Sequence, residues 1–399
     1  MMGRFRFVAR LSAAVLALGG LAACGTISRV PLDAPPTDTR PKSPLDVFRF
    51  SATDEPAGEA FLERWRAERL AHGREGVTAL AISAGGANGA YGAGVLIGWT
   101  EAGDRPAFDV VTGVSTGALI APFAFLGPDW DDELRAAYTD EDAARLTDGR
   151  WAIFVRPALF GGQSLRDLIG KYVDARLLAA IAREHQTGRR LLVATTDLDA
   201  QETIVWDMGA IALAGQTPGY EETAVSLFQT VLVASASIPG VFPPVMVDAD
   251  GAEGGRMEMH VDGGVTTPFV LAPAAMSFWE PDGVMRPEDL FVIVNGELEP
   301  SYGVTRGATL PILMRSFDTM SKADLRAHLA ASQAFAQRNG ASLRYAAIPP
   351  ALGADSLAFD RESMERLLEA GRAAGAEGRA FEPVAQLRGP RSARSPPVD

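Results

Sequence analysis

The sequence predicts an α/β fold: a three-layer sandwich with a mostly parallel central sheet and helices on both faces. Two observations predict it. Apolar, strand-like runs alternate with helical segments along most of the chain, and two of the strand-to-helix junctions are small-residue turns. With 399 residues, 47% of them hydrophobic, the chain has enough apolar material for a large core, which excludes a disordered acidic protein.

The apolar patterning places the individual elements in chain order. Strands are predicted at 77–83, 108–112, 190–196, 203–206 and 290–294. Helices are predicted at 61–70, 89–99, 116–126, 165–184, 222–234, 310–337 and 361–374. Strands that alternate with helices along the chain indicate a largely parallel sheet that helices cover on both faces.

The N-terminus has the layout of a secretory signal peptide, which we place at residues 1–23. Its three cations, Arg4, Arg6 and Arg10, precede an apolar run from 11 to 21 that is about half the length of a membrane span. The run ends in Leu-Ala-Ala-Cys at 21–24, which resembles the bacterial lipobox. That resemblance implies cleavage before Cys24 and acylation of its thiol. An ordinary signal peptide with an incidental cysteine is the alternative.

Charge narrows the classes of partner. The net charge is −13, and loss of the signal peptide would make it −16, so the chain lacks the excess of cations that nucleic-acid binding requires. Anionic lipid would also repel such a surface, so membrane residence would depend on the acyl chains at Cys24. Gly25, rather than Asp, follows the cysteine, and the lipoprotein resemblance then implies the outer membrane of a Gram-negative cell.

Composition divides the rest of the chain. Residues 24–58 are rich in Pro, Thr, Ser and Asp without an apolar period, and we expect them to form a flexible, lipid-anchored tether. Residues 59–380 form the predicted catalytic domain. The Pro-, Arg- and Ser-rich segment 381–399 is predicted to be a disordered tail.

The first motif with a chemical meaning is Gly113-Val114-Ser115-Thr116-Gly117, between a predicted strand and a predicted helix. A nucleophile elbow has this form, because Gly113 and Gly117 permit the tight turn that lifts the serine hydroxyl clear of the sheet. The N-terminus of the helix also directs backbone N–H groups and positive dipole toward an oxyanion. A purely structural turn is the alternative.

The second motif is the turn from 84 to 89, Ala-Gly-Gly-Ala-Asn-Gly. Small residues at Gly85, Gly86 and Ala87 would let backbone amides approach a ligand, as an oxyanion hole requires. A structural glycine turn is one alternative. A dinucleotide-binding turn is the other, but it would need glycine at position 84 and would leave Ser115 without a role, so we expect no nucleotide.

The third motif is His260-Val261-Asp262-Gly263-Gly264. An acid at the end of a short apolar segment can project into a cleft, and by itself the pattern is equally typical of an Asp-Gly turn. His260 lies two residues earlier, on the same face of a strand, where it would be able to tune the pKa of the carboxylate. A histidine that is simply hydrogen-bonded near the surface is the more common alternative.

These three motifs in this order resemble the patatin-like phospholipase family. Two further blocks, Ala194–Leu198 and Ser235–Pro244, also resemble it, and the likeness covers roughly 77–295. The resemblance implies a Ser–Asp dyad, with Ser115 as nucleophile and Asp262 as base, acting on lipid acyl esters without a metal or other cofactor. It also implies an oxyanion hole near Gly85, Gly86 and Ala87. The sequence departs from the family pattern at Ser83, Ala84 and Asn88, where an acid, a glycine and a basic residue are usual.

Two other functions remain open from the sequence. A Ser-His-Asp esterase usually places its histidine after the acid, and His328 is the histidine that follows Asp262, but it falls within a predicted helix. A non-catalytic envelope lipoprotein that retains the fold is the second alternative. Asp197-Leu198-Asp199 is interpreted as a solvated turn.

Overall fold

The computed structural model describes residues 42–139, 162–250, 255–271 and 283–384. The predicted signal peptide, Cys24 and most of the predicted tail therefore lie outside the described residues. Within these ranges, no helix combines the length and the apolar character that a membrane crossing needs.

A ten-stranded mixed sheet organises the described residues, in the order β1-β5-β4-β3-β2-β8-β9-β10, with β7 paired to β4 and β6 to β7. The strands are β1 (Arg49–Ser51), β2 (Val77–Ile82), β3 (Val110–Val114), β4 (Arg190–Asp197), β5 (Glu202–Asp207), β6 (Val245–Asp248), β7 (Met257–Asp262), β8 (Pro287–Val294), β9 (Ser342–Ala347) and β10 (Glu382–Pro383). The five central strands, which lie in the order β4-β3-β2-β8-β9, are parallel to one another. All other strand pairs in the sheet of the described residues are antiparallel.

Helices cover both faces of this sheet. They are α1 (Glu55–Ala71), α2 (Gly89–Ala102), α3 (Thr116–Leu126), α4 (Asp131–Thr139), α5 (Gly162–Tyr172), α6 (Ala175–Gln186), α7 (Met208–Ala214), α8 (Glu221–Ser235), α9 (Thr309–Asn339) and α10 (Arg361–Ala376). Alternate residues of β2 enter different cores: Leu80 and Ile82 pack with α2 and α3, whereas Ala79 and Ala81 pack with α1 and α9. The predicted three-layer α/β sandwich is confirmed.

Close packing fixes the helix that follows the first Gly-rich turn. A Cβ atom at Gly94 or Gly98 of α2 would lie 2.0 Å from a carbonyl oxygen of α10. Gly371 and Gly375 of α10 face α2 in the same way, at 2.2 and 2.5 Å. The two helices therefore pack backbone to backbone, and α2 holds the turn at its N-terminus in a defined position.

The structure confirms the predicted elements with shifts of a few residues at their ends, with one split. The single helix predicted at 165–184 is two helices, α5 and α6, because Asp174 interrupts the run and caps α6 through a hydrogen bond from Leu177 N–H. Strands β1, β6, β9 and β10 were not predicted from the sequence. Each has six residues or fewer and lies toward an edge of the sheet, so its apolar pattern is weak.

The domain boundaries need correction at both ends. The tether predicted for 24–58 includes β1, which pairs with β5 and buries Phe50, and the beginning of α1. The described part of this segment therefore belongs to the fold. The sequence did not reveal it, because a three-residue edge strand has too short an apolar pattern to stand out from Pro- and Asp-rich surroundings. At the other end, β10 and the buried Val384 place the beginning of the predicted tail in the folded domain.

Candidate active site

Ser115 lies at the junction of β3 and α3 with φ 57° and ψ −125°, a left-handed conformation that residues other than glycine rarely adopt. A Cβ atom at Gly113 would lie 2.4 Å from the Gly117 carbonyl oxygen. One at Gly117 would lie 2.2 Å from the Ile82 carbonyl oxygen. Both positions therefore require glycine, and the tight strand-to-helix turn has the geometry of a nucleophile elbow.

Asp262, the last residue of β7, lies directly opposite the serine. Ser115 Oγ donates a hydrogen bond of 2.5 Å to Asp262 Oδ2. The other carboxylate oxygen, Oδ1, accepts from the Gly264 N–H at 2.7 Å, and the Asp262 N–H donates to the Ser237 carbonyl at 3.0 Å. These two hydrogen bonds fix the backbone of Asp262 and its Oδ1 atom, and Oδ2 faces the serine hydroxyl.

Burial sets the electrostatics of this pair. Ser115 and Asp262 are only 2% and 4% exposed. Burial disfavours the carboxylate and raises the pKa of Asp262 to about 7, although hydrogen bonds from Ser115 and the Gly264 N–H act in the opposite direction. A carboxylate with a pKa near 7 is a far better proton acceptor than an ordinary Asp.

The Gly-rich turn forms one wall of a cavity of about 130 Å³, which Gly85, Gly86, Ser115 and Asp262 all line. Gly86 begins the 3₁₀ helix Gly86–Asn88, so its N–H has no acceptor within that helix. Ala87 differs from the prediction: its N–H donates to the Ser356 carbonyl at 2.9 Å and is not available to an oxyanion. The structure therefore brings Gly85 and Gly86 to the cavity, whereas the backbone N–H of Ala87 is already bonded.

Ser235 is a supporting residue to which the sequence analysis assigned no role. Its Oγ accepts from the Ser115 N–H at 3.0 Å and donates to the Ala194 carbonyl at 2.7 Å. Ser235 is fully buried at the end of α8. It ties the elbow to β4, the strand beside both β3 and β7. Its position within the block 235–244, which resembles the family, was the one sequence feature that could have indicated this role.

Ser83, one of the departures from the family pattern, joins the ends of two central strands. Its Oγ donates to the Ala84 carbonyl and accepts from the Asn295 N–H at 2.9 Å. The Asn295 side chain donates in turn to the Ser83 carbonyl at 2.8 Å. A Cβ atom at Gly85 would lie 2.1 Å from the Asn295 carbonyl oxygen, so this connection also positions the Gly-rich turn.

Among the described residues, the hydrogen bonds of the His260 ring go to Thr195 and Glu258 and not to Asp262. His260 is fully buried, with Nδ1 2.9 Å from Thr195 Oγ1 and Nε2 3.3 Å from Glu258 Oε2. Arg49 of β1 donates to both oxygens of Glu258, at 2.6 and 3.1 Å. His260 thus belongs to a buried ionic network that joins β1 to β7, and its direct contacts give it no role as a tuner of Asp262.

Asp197 also belongs to this buried region, so its assignment to a solvated turn was wrong. It is 1% exposed, and burial raises its pKa, with the His260 charge acting in the opposite direction. Ligand atoms of Asp197, Glu258 and His260 lie within 4.8 Å of one another, a spacing that suits a metal ion. The guanidinium of Arg49 already supplies a positive charge there, so we assign no metal to this cluster.

His328 lies on α9, and its contacts lead away from the serine. Its side chain is 36% exposed, with Nδ1 3.0 Å from Asp324 Oδ1, and its ring packs edge-on against Phe269. In the part of the chain that the structure describes, no histidine lines the cavity that contains Ser115 and Asp262. The geometry therefore brings together a serine and an aspartate without a histidine between them.

Comparison with known proteins identifies the family. Residues 80–275 match the model of the patatin-like phospholipase family, a range that contains the Gly-rich turn, Ser115 and Asp262. Among solved structures, the chain is similar to VipD from Legionella pneumophila, with 11% identity and a TM-score of 0.41 over 77% of this chain and 67% of that chain. The search of curated proteins found no match. The chain therefore carries a patatin-like phospholipase domain at residues 80–275.

Proposed function

We propose that the chain hydrolyses carboxylic esters of lipids with a Ser115–Asp262 dyad. The observation that carries the proposal is the 2.5 Å hydrogen bond between an elbow serine and a buried aspartate whose pKa is about 7. The patatin-like phospholipase domain supports a lipid acyl ester as the substrate class. The phospholipase A, lysophospholipase and carboxylesterase types share this chemistry.

The proposed reaction begins with ionised Asp262. Its Oδ2 accepts the Ser115 proton as Oγ attacks the acyl carbonyl, and the Gly85 and Gly86 N–H groups stabilise the resulting oxyanion. The C–O bond to the leaving alcohol then breaks, and Asp262 returns the proton to that oxygen. In the second half, Asp262 accepts a proton from water as the water oxygen attacks the acyl carbon. It returns this proton to Ser115 Oγ as the bond between Oγ and the acyl carbon breaks, which releases the fatty acid.

We also propose a lipid anchor for this hydrolase. Residues 1–23 would be removed, Cys24 acylated, and the chain between 25 and 41 would connect the anchor to the folded domain. With such an anchor, the enzyme would act in the envelope of a Gram-negative bacterium, at the outer membrane. Incorporation of labelled palmitate into the full chain, lost in Cys24→Ser, tests the anchor. Equal incorporation in the variant would contradict it.

A fluorophosphonate probe tests the proposed nucleophile, because it phosphonylates an activated serine. We expect stoichiometric labelling of the full chain, loss of labelling in Ser115→Ala, and unchanged labelling in Ser316→Ala, which removes an exposed serine of α9. Absence of labelling in well-folded protein would contradict the proposal and favour the non-catalytic envelope lipoprotein.

A further inference from the structure

The first half of α9 lies beside the active-site cavity without packing into a core. None of the described side chains between 311 and 324 is buried, and Leu325 is the first described side chain of the helix that is buried. From there Leu325 and Leu329 enter the hydrophobic core beneath the sheet. A helix end that carries apolar side chains away from the core has a face available for another partner.

This segment concentrates the exposed apolar surface of the protein. Among the residues that the structure describes, six of the eleven large exposed hydrophobic side chains fall between 302 and 320. We call these six residues the docking face: Tyr302, Val304, Ile312, Leu313, Phe317 and Met320. Leu313, Phe317 and Met320 follow at i, i+4 and i+7, which places them on one side of α9.

The docking face is continuous with the active-site cavity. Phe317 lines the cavity, and Val304 lines an adjoining groove of about 670 Å³. Cavity and groove share five lining residues: Glu297, Asp318, Lys322, Ala354 and Ser356. At about 130 Å³ the cavity is smaller than a usual ligand pocket, so most of a long-chain lipid would remain outside it, in the groove or beyond.

The charges around this face balance and do not select an anionic surface. Lys322 Nζ lies 3.3 Å from Glu297 Oε2, and Arg315 lies 3.4 Å from Asp318. Between 299 and 324 three cations oppose three carboxylates: Arg306, Arg315 and Lys322 against Glu299, Asp318 and Asp324. The whole chain carries −13, so neither the region nor the protein attracts anionic lipid.

We propose that the docking face seats the enzyme on a zwitterionic lipid surface, so that the ester reaches Ser115 directly from the bilayer. The proposal rests on the proposed function, because a lipid substrate is what makes a bilayer the matching occupant. Insertion of these apolar side chains among acyl chains removes them from water, and balanced charge avoids repulsion by zwitterionic head groups.

The test compares two double variants of the full chain. Leu313→Gln with Met320→Gln removes two docking-face residues that are 60% and 70% exposed and do not line the cavity. Val47→Gln with Leu70→Gln, at 70% and 49% exposure, is the matched control. All chains carry Cys24→Ser and Ser115→Ala, so that acylation and lipid turnover do not contribute. Binding is measured by flotation with phosphatidylcholine vesicles, with and without phosphatidylglycerol.

We expect the docking-face variant to bind at least about tenfold more weakly than the control, since tenfold corresponds to about 1.4 kcal/mol and burying one large apolar side chain contributes roughly that much. Phosphatidylglycerol should not strengthen binding. Equal binding by both variants, or binding that requires phosphatidylglycerol, would overturn the proposal. A shift from dimer to monomer in the docking-face variant, without any loss of vesicle binding, would overturn it in favour of a second copy of this chain.

The same substitutions with Ser115 intact separate this proposal from the proposed function. The docking-face variant should hydrolyse a soluble short-chain ester at the rate of the control and hydrolyse vesicle lipid at least about tenfold more slowly. Loss of vesicle activity in both variants with full binding would contradict lipid hydrolysis instead. Equal vesicle activity in both variants would contradict the docking face alone.

Discussion

Two carboxylates on one strand show how their surroundings give similar groups very different pKa values. Glu258 and Asp262 lie four residues apart on the same face of β7, and each is only 4% exposed. Yet the pKa of Glu258 is lowered to about 2, whereas that of Asp262 is raised to about 7. Depth of burial therefore does not decide which carboxylate can act as a base.

The partners of the two groups explain the difference. Burial raises the pKa of both, but Glu258 has hydrogen bonds from His260 and Arg49 together with the charge of Arg49. Asp262 has two neutral partners, the Ser115 hydroxyl and the Gly264 N–H. The ion pair with Arg49 keeps Glu258 ionised at neutral pH and joins β1 to β7. Neutral hydrogen bonds leave Asp262 able to gain and lose a proton near neutral pH.

The largest expected effect separates the two carboxylates by activity. Asp262→Asn should lower kcat on a soluble ester by about 10²–10⁴-fold, because it removes the general base. Glu258→Gln should keep kcat per folded molecule within about threefold, because Glu258 contacts neither the serine nor the cavity. Equal losses of kcat in the two folded variants would show that the catalytic role does not belong to Asp262 alone and that the role of Glu258 is not only structural.

The next effect is on stability and comes from the ion pair of Glu258 with Arg49. Arg49→Met removes the closer of the two guanidinium groups that pair with Glu258 and leaves Arg256, whose Nη2 lies 3.4 Å from Oε1. The loss of unfolding free energy should therefore approach, without reaching, the about 3–5 kcal/mol that a fully unpaired buried charge costs. Because the pKa of Glu258 is lowered in the fold, its stabilising contribution is present above pH 4.5 and lost as the pH falls toward 2. Urea unfolding at pH 7 measures the effect. A loss below about 1 kcal/mol would show that the network is not a structural tie.

Asp262 should show the opposite linkage. Its pKa rises from 3.8 to about 7, so ionisation destabilises the fold increasingly as pH rises through that window. The stability of Asp262→Asn relative to the natural chain should therefore increase by about 2–4 kcal/mol between pH 4 and pH 8, because each unit of pKa shift corresponds to about 1.4 kcal/mol. Urea unfolding at the two pH values checks this sign. A stability difference that does not change with pH would contradict the raised pKa.

The smallest expected effect concerns His328. His328→Ala should change kcat by no more than about twofold, because its side chain contacts Asp324 and Phe269 rather than the serine. A loss above about a hundredfold in folded protein would restore the Ser-His-Asp alternative and remove Asp262 from the role of direct base. Steady-state kinetics on a soluble ester is sufficient to decide.

Apolar patterning was enough to predict four of the five parallel strands, β2, β3, β4 and β8, together with the helices α2 and α3 that follow the first two, because apolar runs indicate burial. The three motifs and their resemblance to a known family predicted a site formed by Ser115, Asp262, Gly85 and Gly86, and all four residues line one cavity. The predictions that were wrong have a different cause. The N–H of Ala87 is unavailable because it donates to the Ser356 carbonyl, and Asp197 is buried because its strand pairs with β7. Such pairings join residues 60 or more positions apart, and no local pattern contains them.

The pH dependence of kcat/KM on a soluble short-chain ester tests the central claim most directly, because this ratio reports the essential groups of the free enzyme. With Asp262 as the base, activity should rise with pH to a midpoint near 7 and fall about tenfold per unit below it. A rate that is already constant from pH 5 upward would contradict the claim, since the base would then have the pKa of an ordinary aspartate.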